Sequence, residues 1–184
     1  MRFFFDERKA AQAAAYLIKL RGSPISLLAL IKLLYLADRK ALIETGAPIT
    51  NDKIVCMRHG LVLSAIYDKT QGDGTDDGPW HQYIAAKEGN SVALAREPDS
   101  FDELSRYELA VLDSVHADYG VLTPSQLRNL THDLPEYCDP GDSSVPVDPA
   151  NILRLNGIPE EDVRRITAEA EESYFLDVVG TAPR

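Results

Sequence analysis

Cysteine is nearly missing from this chain. There are two in 184 residues, Cys56 and Cys138. They stand far apart in unlike contexts, so neither a disulfide framework nor a zinc ribbon can be read from them. Reduced thiols in a cytoplasmic compartment are the expectation. Basic charge is also short. Nineteen Lys and Arg face 29 Asp and Glu, for a net charge of −10. Phosphate binding needs clustered cations, which argues against a general DNA or RNA binder. The longest apolar run, Ile25 to Leu36, is interrupted at Ser26, Lys32 and Tyr35. It is too short to span a bilayer, and no membrane partner is expected. The opening Phe3-Phe4-Phe5 run stops at Asp6-Glu7-Arg8-Lys9 and does not read as a secretory leader. There is no Gly-rich phosphate loop, no Walker lysine, no nucleophile elbow, no internal repeat and no long linker. No cofactor is expected.

What the chain does have is apolar mass. Apolar residues make up 45% of it, enough for a core without staples. One domain over residues 1–175 is expected, with 176–184 a frayed tail. The densest stretch is Ser23 to Asp68. It reads as a long helix, a Gly46–Pro48 turn, a short strand within Ile49–Met57 and a helix from Leu61 to Asp68. Ser23-Pro24 supplies a cap and first-position start signal for the long helix. Its leucines fall on two faces, so it should be surrounded by protein. A small-residue helix, about Asp6 to Leu20, precedes it.

Further on, Trp80–Ala86 and Val92–Ala95 flank Glu88-Gly89-Asn90-Ser91, a β-hairpin signal. Helices are expected at about Phe101–Tyr119, capped by Asp99 or Ser100, and at Ser125–Thr131. The stretch from Leu134 to Pro149 carries four prolines and reads as irregular. A short helix to Leu155 and an acidic last helix, about Glu160 to Phe175, complete the chain. The expected fold class is mainly α (α+β): a compact helical domain around a buried central helix, with a small β-hairpin.

Few residues could carry chemistry. Cys56 and His59 form a Cys-x-x-His pair with His81 further on, the one cluster on which a cysteine/histidine-dependent enzyme could be built. A zinc site would need a second pair at matching spacing, which is missing. Thr70 to Pro79 has a loose calcium-loop spacing without the distal Glu. Two helices followed by a hairpin also fit a winged-helix, DNA-binding autoregulator, but the second helix is too apolar to read bases.

The central stretch resembles the Panacea domain, a family of bacterial and phage antitoxins that includes the phage-associated GepA-like and the SocA-type proteins. The resemblance rests on Lys32, Leu33, Leu34, Tyr35, Ala37 and Asp38. It continues through Gly46, Pro48, Ile49 and Asp52, then His59-Gly60-Leu61-Val62 with Ser64, Ile66 and Tyr67. His59 replaces a common aromatic, and Leu61 and Ser64 replace common prolines. The match is strongest over Ser23–Asp68 and looser, but in order, over the hairpin and the helix from Phe101. It implies a non-enzymatic antitoxin that neutralises a cognate toxin by direct contact. In the SocA-type branch it also implies an adaptor that brings the toxin to the ClpXP protease.

On that reading, the few polar points at the edge of an apolar helix are the expected docking residues. Lys32, Tyr35 and Arg39 share a stripe, with Asp38 beside them, and Arg58, His59, Tyr67 and Trp80 are taken as neighbours. Aromatic and Arg side chains anchor interfaces. The alternative, left open at this point, is that these residues lock the turn. The acidic last helix is a second candidate surface.

Overall fold

The computed structural model describes residues 1–72 and 78–181. Most of the calcium-loop spacing therefore lies outside the described residues. The chain begins with α1 (Glu7–Arg21), capped by Asp6, whose carboxylate accepts the Lys9 N–H at 3.0 Å. Ala10, Ala11, Ala13, Ala14 and Ala15 are all fully buried. Their small side chains let α1 lie close on the helices beside it.

The residues after α1 correct the Ser-Pro start signal. Ile25–Ser26 is a short strand, β1, and α2 runs from Leu27 to Thr45. Ile25 and Ser26 are held extended because they pair antiparallel with Val92 and Ser91. Ser26, not Ser23, stands at the helix start. At the other end Gly46 takes the left-handed conformation, φ 85°, and its N–H returns to the Leu42 carbonyl. A Cβ there would meet the Ile166 side chain at 2.9 Å. Glycine therefore serves both the turn and the packing.

β2 (Ile54–Met57) and β3 (Gly60–Leu63) form a hairpin turned at Arg58-His59, with Cys56 opposite Leu61. This pairing corrects the helix expected from Leu61. The helix, α3, starts at Ser64 and ends at Gln71. Its first residue has no side-chain cap. The Asp52 carboxylate substitutes, accepting N–H groups from Ala65 at 3.0 Å and Ile66 at 2.9 Å. A short helix, α4 (Pro79–Tyr83), replaces the start of the expected hairpin. The rest of that hairpin survives as bridges Ile84–Leu94 and Glu88–Ser91, and as β4 (Ser91–Val92) on β1.

α5 (Arg106–Tyr119) begins later than expected, behind a Ser105–Glu108 capping box. Gln12 explains the delay. Its side chain bonds the Asp102 carboxylate at 2.8 Å and the Glu103 N–H at 3.1 Å, tying the preceding turn to α1. α6 (Pro124–His132) carries its own box, Thr123 with Gln126. The proline-rich stretch is irregular, as expected, but adds β5 (Val145–Pro146) to the free edge of β2, giving the order β3-β2-β5. α7 (Pro149–Leu155) and α8 (Glu160–Thr181) follow. α8 continues past Phe175, and Phe175, Leu176 and Val179 are exposed on it.

α2 is the axis of the fold. α1, α5, α6, α7 and β3 all pack on it. Leu30, Leu33, Leu34 and Leu42 are buried, each stabilising the fold by about 1.5–3 kcal/mol. The architecture is mainly α with a small β part, as the hydrophobic pattern predicted.

Candidate functional site

The polar residues of α2 do not form an exposed stripe. Lys32 and Tyr35 are fully buried, and Asp38 is 1% exposed. That corrects the expectation that Lys32, Tyr35 and Asp38 are polar points exposed at the helix edge. Each is spent on the chain itself. The Lys32 ammonium donates to the Leu61 carbonyl at 2.7 Å, holding β3 to the helix. Burial pushes this amine down to about 7; Cys56 opposes the shift and Arg128 adds to it. Asp38 accepts the Ile49 N–H at 3.1 Å, the Thr50 N–H at 3.0 Å and the Thr50 hydroxyl at 2.5 Å. It closes the loop that leaves α2. Burial drives its carboxyl up to about 7, while the donated bonds pull the other way.

Tyr35 and Arg39 meet at one carboxylate, Glu136. The Tyr35 hydroxyl and the Arg39 Nε each donate to Glu136 Oε1 at 2.5 Å. Arg39 Nη2 reaches Asn156 Oδ1 at 2.8 Å. The Glu136 side chain has no exposed surface, against 16% for Arg39. Burial, then the Glu136 charge, raises the Tyr35 phenol far above its ordinary value. This cluster fastens the proline-rich stretch and the end of α7 to α2. Neither Glu136 nor Asn156 carries a local sequence signal, so the link was invisible before folding.

Trp80 also points inward, at 1% exposure, and its backbone N–H donates to the Glu7 carboxylate of α1 at 3.0 Å. Cys56 is fully buried, with its sulfur accepting the Cys138 N–H at 3.1 Å. Burial pushes the thiol up to about 11, the opposite of an activated nucleophile. His59 is exposed at the hairpin turn and His81 stands on α4, which packs on α1. Among the described residues no group of three or more His, Cys, Asp or Glu is placed to hold a metal ion. α2 is buried from Ala29 to Asp38, and the part of it that faces the open groove is apolar (Leu27, Leu28, Ile31), not the polar surface a DNA-reading helix presents.

The remaining predicted residues do come together. Arg58, His59 and Tyr67 line one open groove of about 660 Å³. Its floor is apolar: Leu27, Leu28 and Ile31 from α2, Met57 and Val62 from the hairpin. Its rim is basic. Lys87 enters from the turn before β4 and Arg128 from α6, and no carboxylate is among the lining residues described. Sequence reasoning missed Lys87 and Arg128, because only the folded chain brings these elements to one place. Among the described residues Arg58 has one partner, Asp142 at 3.3 Å, and both side chains are largely exposed. Such a pair is worth little. Lys87 leans on Gln71.

A family model described as "Antitoxin SocA-like, Panacea domain" matches residues 30–137. The chain belongs to the SocA-like Panacea antitoxin family. No curated protein and no solved structure matches it. The limits of the Panacea span agree with the chemistry above. It opens just before Lys32 and closes just after Glu136, so it holds both ends of the Lys32–Leu61, Asp38–Thr50 and Tyr35–Glu136 links. Among the described residues of the chain no helix is long and apolar enough to cross a membrane.

Proposed function

We propose that this Panacea protein is the antitoxin of a toxin–antitoxin pair and neutralises a protein toxin by direct, non-enzymatic contact. Family membership supports the class of function. The observation that carries the mode is the inward turn of the motif: Lys32, Tyr35 and Asp38 are consumed by internal bonds. That leaves the groove rimmed by Arg58, His59 and Tyr67 as the docking face. Of the eight residues expected at the interface, these three bind the partner in this reading. Lys32, Tyr35, Asp38, Arg39 and Trp80 hold the fold that presents them.

Co-expression with the neighbouring gene product tests the proposal. Growth arrest by the neighbour alone, relieved when this chain is present, is the expected result. A harmless neighbour, or one that stays toxic, contradicts it. Repeating the test in cells lacking ClpXP separates inhibition from delivery to the protease. Relief that persists with undiminished toxin levels is inhibition by contact; relief that vanishes makes the chain an adaptor.

A further inference from the structure

We infer that the groove takes a short segment of the toxin in which carboxylates flank one bulky apolar side chain. The inference rests on the antitoxin reading and adds the chemistry of the partner. The chain is acidic overall, at −10, yet this groove gathers Arg58, Lys87 and Arg128 and, among the described residues, no Asp or Glu. A local field opposite in sign to the net charge selects an anionic guest and repels a second acidic surface presented broadside. The cations are also available. Arg58 has only its exposed contact with Asp142, and the Arg128 side chain has no ion pair or hydrogen bond among the described residues. Lys87 donates to a neutral amide, Gln71.

The floor sets the second requirement. Leu27 and Leu28 are half-buried at the first turn of α2, with Ile31 and Val62 buried behind them. A cleft with apolar walls and a charged lip is filled by an apolar anchor whose flanking groups pair with the rim. Nucleic acid fits less well. Its phosphates would match the rim, but its sugars would leave the floor wet.

Three measurements on the intact protein test this. Short overlapping peptides spanning the neighbouring gene product are arrayed and probed with the wild-type chain and with an Arg58→Glu/Lys87→Glu/Arg128→Glu variant. The toxin segment retained by the wild type is expected to carry carboxylates beside a bulky apolar residue. The variant should bind it about tenfold more weakly or worse, and recover when the peptide carboxylates are changed to Lys. Arg58 and Arg128 are exposed and Lys87 is half-buried, so the variant should stay folded with a single cooperative melting transition, checked before binding is compared. Equal binding by both proteins overturns the inference, as does retention of basic or neutral segments, or preference for a single-stranded oligonucleotide.

Sedimentation of the free protein adds a further arm. A wild-type dimer that the variant breaks overturns the inference and assigns the groove to a second copy. Neutralisation separates the two levels. If the wild type fails to relieve toxicity, the antitoxin reading falls. If the wild type and the charge-reversed variant relieve it equally, only the groove chemistry falls.

Discussion

Lys32 is an amine buried at 0% exposure, and its titration reports that environment. It donates one strong bond, to Leu61, and no carboxylate among the described residues bonds it. In the folded state the amine loses its proton above about 7, against 10.5 ordinarily. Between those values the unfolded chain binds more protons, so this group makes stability rise with pH. Asp38 has the opposite sign. Its folded carboxyl titrates at about 7 rather than 3.8, so its contribution falls as pH rises through that window. The summed contribution of these two groups is lowest near pH 7. Melting temperatures of wild type and Lys32→Met should therefore diverge in favour of wild type from pH 7 to pH 10. A constant difference would mean the amine stays charged. Gly60 lies against the same group. Its φ is +96°, and a Cβ there would meet Lys32 Nζ at 2.8 Å and His132 Nε2 at 3.0 Å. Gly60→Ala should lower the free energy of unfolding by about 1–3 kcal/mol, read from urea midpoints.

At the scale of elements, α2 acts as a mast to which the rest is tied. Lys32 ties the hairpin, Asp38 ties the exit loop, and Tyr35 with Arg39 ties the proline-rich stretch. Removing Glu136 breaks the last tie, leaving the Tyr35 phenol without its acceptor and the Arg39 guanidinium with Asn156 but without its counter-charge. Glu136→Ala should cost about 3–5 kcal/mol. Hydrogen exchange should quicken first in residues 134–149, and uniform quickening across the chain would contradict a local clamp. The mast itself was legible before folding, because leucines on two faces require burial whatever surrounds them. The helix ends were less so. Ser23-Pro24 satisfied a local start rule, but pairing of Ile25 and Ser26 with β4 overrode it. Ser100 lost its cap role to Ser105 because Gln12, remote in sequence, holds the turn between them. The inward turn of Lys32 and Tyr35 was legible only as the alternative that these residues lock the turn. Polar residues on an apolar helix look like a surface until their acceptors are known, and Leu61 O and Glu136 come from other elements.

At the scale of the molecule, the proposed docking face lies apart from the buried links of the family motif. The Panacea span from 30 to 137 builds a frame in which buried polar links replace what apolar packing alone would leave free to slide. Part of the groove floor, Leu27 and Leu28, and the exposed end of α8 lie outside that span. The groove was half legible: Arg58, His59 and Tyr67 were singled out from the chain, whereas Lys87 and Arg128 joined them only through the fold. Rim and frame substitutions should therefore have different signatures. The sharpest comparison is Tyr35→Phe, which removes a single hydroxyl from the centre of the motif. The measurement is its affinity for the neutralised toxin, by calorimetry, beside its unfolding free energy. The expected result is a stability loss of about 1–3 kcal/mol with toxin affinity unchanged. Weakened toxin binding at unchanged stability would contradict it and return the motif to the interface.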